Sequence, residues 1–174
     1  MRPRLRKLAL TAHVTSSVGW MGAVATFLAL AIGGLVSADD QVVRASYVAM
    51  KVTTWSVIVP LCLASLVTGL IDSFLTPWGL FRHYWVVAKL VLTLLATVVL
   101  LAHTQAIGML AHAATYGGLL GAGMGSLRVQ LLVDAAAALL VLLAATALAI
   151  YKPRGVTRSG WRKQHESRAV SAEA

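Results

Sequence analysis

Four uninterrupted apolar stretches constrain this chain more than any other feature. They run over about 8–36, 47–71, 84–110 and 127–151. Crossing a hydrocarbon core of about 30 Å takes roughly 20 apolar residues, because each contributes about 1.5 Å of helix rise. All four stretches are long enough. Backbone groups in lipid need internal partners, and the near-continuous apolar runs lack the alternation of a membrane barrel, so the spans should be helices. The predicted fold is all-α, a four-helix transmembrane bundle. The composition agrees: 59% of the 174 residues are hydrophobic and 12% charged, against about half and a quarter in soluble domains. The first stretch exceeds the roughly 7 to 15 residues of a signal-peptide core, so it is expected to stay as a span.

The net charge of +9 does not point to nucleic acid, because the charges gather at the chain ends. In a four-span arrangement Arg2, Arg4, Arg6, Lys7, Arg82, Lys152, Arg154, Arg158, Arg162, Lys163 and Arg168 share one side. Arg44, Lys51 and Arg128, with Asp39 and Asp40, fall on the other. The positive-inside rule then places both termini in the cytoplasm, in a multi-pass membrane protein. Tyr47 and Tyr116 at the outer ends, and Trp78, Tyr84, Trp85 and Tyr151 at the inner ends, match interfacial aromatic belts. The chain divides into a basic flank (1–7), the membrane domain (8–151) and a basic tail (152–174). The tail is expected to be disordered or to lie on anionic lipid head groups, with Trp161 as an anchor.

Within the second span, Pro60 removes an amide donor and should kink the helix. The outer link around Gly117, Gly118, Gly121, Gly123 and Gly125 is expected to be a surface loop. Its GAGMGS lacks the preceding strand and the lysine of a phosphate loop. Cys62 is the sole cysteine, which excludes an intramolecular disulfide or a multi-thiolate centre.

Ionisable residues inside spans are costly and ask for partners. By helix rise, His13 and Lys89 each lie about 7 Å from the inner ends, so they can share a layer. Asp134, His103 and Lys51 fall about 25 to 30 Å along their helices and define an outer layer, where Lys51 and Asp134 are expected to pair. His13, Ser17, Trp20 and Val24 form one stripe of helix one. Thr15, Gly19, Gly22, Ala23 and Thr26 form a small-residue stripe expected to pack closely. On helix three, Lys89, Thr93, Ala96, Leu100, His103 and Thr104 form a polar seam expected to face the bundle. Each site also has a structural reading: Lys89 snorkelling to the interface, His13 bonding a carbonyl, and the outer ions merely fixing helix pairing. His83, His112 and His165 are interfacial or in the tail.

The segments AHVTSSVGWMGAV and SLVTGLIDSFLTPWGLFRHYWVVAKLVLTLL resemble a superfamily of small bacterial membrane proteins. It includes the copper-resistance protein D membrane domain and the four-helix membrane protoporphyrinogen oxidase. The resemblance covers roughly residues 8 to 112 and rests on His13, Trp20, Gly22, Thr68, Gly69, Trp85 and Lys89. It implies a shared role for His13 and Lys89 and, in the oxidase branch, a b-type haem on the helix-one histidine. The Pro-Arg segment of the oxidase is replaced here by GAVATFLALA. This departure argues against porphyrin oxidation and favours an uncharacterised branch of the superfamily.

The expectation is a non-transporting haem-binding or redox-associated membrane protein. In it His13 is the axial or metal ligand, Trp20 contacts the cofactor, and Lys89 is the candidate catalytic cation for a proton or carboxylate step. Its partners would be the bilayer and either a second copy or a membrane redox protein. The alternatives are an accessory protein whose polar residues only specify packing, and a metal or proton permease using His103, Asp134 and Lys51.

Overall fold

The computed structural model describes residues 3–75, 84–118 and 123–151. They form α1 (Pro3–Val36), α2 (Asp40–Thr53), a π-helical turn (Thr54–Ile58), α3 (Val59–Leu75), α4 (Tyr84–Tyr116) and α5 (Met124–Tyr151). The α2, π and α3 segments follow without a break, so the described chain makes four rods, each long and apolar enough to cross a membrane. Leu8, Val18, Val67, Val98 and Leu140 are all more than half exposed. Apolar exposure on that scale suits lipid rather than water. The basic residues Arg4, Arg6 and Lys7 belong to α1, so the expected N-terminal flank is the first turns of the first span. The expected inner link with Trp78 and Arg82, the residue His83, and the tail with Trp161 and His165 lie outside the described residues.

Local chemistry sets the ends. Asp39 has extended backbone angles and its carboxylate accepts from the Gln41 amide at 2.8 Å, capping α2, while Asp40 adds an acid to the first turn. Tyr116 closes α4, and Gly117 follows with φ +83°, the left-handed conformation that commonly ends a helix. Pro60 is accommodated by the π turn directly before it, where Val59 N–H bonds the Thr54 carbonyl. A wider turn relieves the clash of the proline ring with the preceding carbonyl ladder.

α1 packs along the α2–α3 rod and against α5; α4 packs on the other side of both, mainly on α2 and α5. α1 and α4 therefore stand diagonally across the bundle. The core is formed by Trp20, Val24, Phe27 and Ala31 of α1, Tyr47 and Met50 of α2, Ile58, Cys62, and Ile107, Leu110 and Leu131 of α4 and α5. The stripe carrying Ser17, Trp20 and Val24 is thus the packed one. The small-residue stripe is largely external: Thr15, Gly22 and Thr26 are exposed, and a Cβ on Gly22 would meet nothing within 4 Å. Only Gly19, against Leu61, and Ala23 pack. Phenylalanine and tryptophan fill the core better than the glycine groove would.

Tyr47 also departs from its expected place. Instead of joining an interfacial belt it is 2% exposed, with its ring against Gly34. Arg128 Nε donates to its hydroxyl at 2.7 Å, and Arg128 Nη2 donates to the Gly34 carbonyl, one of the acceptors left open at the end of α1. This staple ties α1, α2 and α5 at the loop end.

Candidate functional site

At the end of the bundle where α1 begins and α5 finishes, His13 of α1 faces α3 and α4. Its Nδ1 lies 3.1 Å from the Ser65 carbonyl and 3.2 Å from Thr68 Oγ1. A carbonyl can only accept, and the Thr68 hydroxyl already donates to the Ala64 carbonyl at 2.6 Å. Nδ1 therefore carries the proton, and in the neutral ring Nε2 is left as a lone pair. Lys89 Nζ sits 3.0 Å from that lone pair. The long lysine stem crosses the diagonal between α4 and α1, so the shared layer expected for these two residues is a direct contact rather than snorkelling.

Asp72 completes the cluster. It lies one turn beyond Gly69 on α3, its charge reaches both His13 and Lys89, and its Oδ2 is buried without a hydrogen-bond donor. Gly69 is required by the close approach: a Cβ there would stand 2.9 Å from His13 Cε1. Around the ring, Ser17 and Ser65 hydroxyls meet at 2.7 Å and Ser16 donates to the His13 carbonyl at 3.1 Å. Along α4, Thr93 and Thr97 return their hydroxyls to the carbonyls of Lys89 and Thr93, and Thr97 also meets buried Cys62 at 3.2 Å.

An axial haem ligand needs a free imidazole nitrogen facing open space. In this arrangement Nδ1 is held by α3, Nε2 faces Lys89, and Cε1 rests on Gly69. These residues as placed do not fit a haem at His13. Nor do three of His, Cys, Asp and Glu converge anywhere among the described residues to hold a metal. Trp20 lies about 10 Å further along α1 than His13 and belongs to a different part of the bundle.

That part is a cavity of about 200 Å³ between α4 and α5, floored by Trp20, Val24 and Phe27 of α1 and Ile58 of the π turn. Ala96, Leu100, His103, Asp134, Ala135 and Ala138 contribute to its walls. Asp134 meets His103 here, with Oδ2 and Nε2 3.0 Å apart. Lys51, the partner expected for Asp134, is exposed on α2. His103 Nδ1 donates to the Val99 carbonyl at 2.8 Å, and Nε2 is also 3.0 Å from Gln130 Nε2. Nε2 can accept from Gln130 or donate to Asp134, not both. The Asp134 contact has ion-pair distance without hydrogen-bond alignment, and Oδ2 has no donor. Trp20 Nε1 is likewise buried and unpartnered.

His112 stacks near Tyr116, with ring centroids 4.6 Å apart, and takes no part in either cluster. Asp72 and the Arg128 staple escape a reading by composition, because Asp72 sits where the second span was expected to end and Tyr47 resembles a belt residue. The helical register of Ser65, Gly69 and Asp72 is the signal that links the aspartate to His13. No protein-family model, curated protein or solved structure matches this chain.

Proposed function

We propose that this multi-pass membrane protein holds a proton-exchanging site formed by His13, Lys89 and Asp72. The observation that carries the reading is the 3.0 Å contact between the Lys89 ammonium and the His13 Nε2 lone pair. An ammonium facing an imidazole lone pair can pass its proton across one hydrogen bond. The ring then bears a proton on each nitrogen, and Asp72 offsets the positive charge in either state. Nδ1–H stays on the Ser65 carbonyl and holds the ring in place throughout. Ionisable groups within a span commonly serve such relays. The distribution of Lys and Arg favours exchange with the cytoplasmic face. The shared His and Lys positions of the resembled superfamily fit the same pair of residues. Transport right across the bundle has less support, since the cavity walls beyond this cluster are apolar apart from His103, Asp134 and the Trp20 indole.

The test is nitrogen NMR of histidine-labelled protein in lipid nanodiscs, titrated across about pH 5 to 8 and above. The His13 Nε2 resonance should report a lone pair that accepts a hydrogen bond, and should undergo a titration step that Lys89→Met and Asp72→Asn both displace. A His13 signal indifferent to both substitutions would overturn the proposal.

A further inference from the structure

The cavity between α4 and α5 is separate from the proton-exchanging cluster: neither His13, Lys89 nor Asp72 lines it. It exists because α5 presents Ala135, Ala137 and Ala138 opposite Ala96 of α4, where larger side chains would have filled the space. Leu95 and Val99 at its α4 edge are 57% and 44% exposed, so the cavity opens sideways at the depth of the acyl chains. A dry cavity of about 150 Å³ accommodates one benzene ring. The space here, about 200 Å³, fits one substituted six-membered ring, with a tail leaving through the lateral opening.

Two polar groups distinguish this space from a lipid-chain cleft. Trp20 is 3% exposed and its indole N–H has no acceptor; Asp134 Oδ2 is buried and, although His103 Nε2 stands 3.0 Å away, accepts no hydrogen bond. Both residues line the cavity. A hydroxyl is the smallest group that gives one donor and takes one, which matches the two unpartnered groups of this lining. Trp20 and Phe27 supply the flat apolar surfaces that a ring packs against. A linear alcohol would meet the same two groups but leave the width of the cavity unfilled.

We propose that the cavity binds the ring of a phenol- or quinol-headed lipid, its hydroxyl donating to Asp134 Oδ2 and accepting from Trp20 Nε1. Full-length protein in nanodiscs is titrated with 4-decylphenol, with decylbenzene (ring without hydroxyl) and with 1-decanol (hydroxyl without ring). The readout is the Trp20 indole N–H resonance, assigned by its loss in Trp20→Phe. The phenol should shift it saturably, with an apparent affinity at least about tenfold above either comparator, as a hydrogen bond to a buried and otherwise unpartnered group provides. Asp134→Ala should remove that advantage and leave decylbenzene unaffected. Ala138→Phe, which keeps both polar groups and fills the space, should abolish the phenol response while the His13 signals stay in place and report an intact fold. Equal affinity for decylbenzene would make the space a lipid-chain cleft and overturn the proposal. So would equal affinity for decanol, or an unchanged phenol response in Ala138→Phe.

Discussion

The two polar clusters of this bundle use the same ingredients, a histidine and a carboxylate on neighbouring helices, and finish them in opposite ways. Around His13 both ring nitrogens and Cε1 have protein neighbours, down to a glycine placed where a methyl group would collide. Around His103, two residues compete for one nitrogen and a carboxylate oxygen goes without a donor beside a cavity. The first encloses its histidine with protein groups and lines no part of the cavity, although Asp72 Oδ2 there also lacks a donor. The second leaves a carboxylate oxygen and the Trp20 indole without partners beside a cavity, and that is where a ligand gains its hold. Polar residues in membrane helices therefore cannot be sorted by type and depth alone; how far the surrounding chain satisfies them decides what they do.

The contrast can be broken most forcefully at Gly69. Gly69→Ala inserts a methyl group against His13 and should cost about 1 to 3 kcal/mol, the range for overpacking, in reversible unfolding from mixed micelles. Gly22→Ala, on an open face, should change stability by less than about 0.5 kcal/mol. Equal effects at the two glycines would show that the ring is not held as tightly as described.

A double-mutant cycle sharpens the comparison next. His13→Ala with Lys89→Met should show a coupling of about 1 kcal/mol or more, since the residues share one hydrogen bond. His103→Ala with Asp134→Ala should couple by less, about 0.5 kcal/mol, because Gln130 already competes for the ring. A reversed order would mean that the loop-side pair is the more tightly built of the two. The smallest effect belongs to Lys51. Combined with Asp134→Ala, Lys51→Ala should be additive within about 0.3 to 0.5 kcal/mol, as for residues that share no partner; a larger coupling would restore the direct pair.

The number of spans and their rough positions were legible in the sequence because hydropathy integrates over many residues, whereas their ends were not: α2 begins at Asp40 within the expected polar link, and α4 runs on to Tyr116. The His13–Lys89 layer was legible for a similar reason: both distances are counted over a few residues from helix starts at the same end. The outer layer was only half legible. Rise arithmetic set Lys51, His103 and Asp134 at comparable depth, but depth says nothing about azimuth, and Lys51 sits on the exposed side of its helix. Tyr47 was misplaced because an aromatic near a helix end has the same composition signature whether it meets head groups or a glycine and an arginine. The cavity had no signature, since a run of alanines is equally suited to close packing and to leaving space.

The π turn before Pro60 has a further consequence, in the rotational phase of the second span. Met50 and Cys62 are almost wholly buried, 0% and 1% exposed, although they are twelve positions apart. In an uninterrupted α-helix at about 100° per residue they would point about 120° apart. The five-residue turn absorbs one extra residue without advancing the helix, so Tyr47 and Met50 above it and Cys62 and Ser65 below it keep a common face. Chain length is therefore locally negotiable in this rod: removing one residue from 54–58 would restore plain α-helix with both halves still in phase. The same deletion between Val59 and Gly69 would swing Gly69 and Asp72 away from His13.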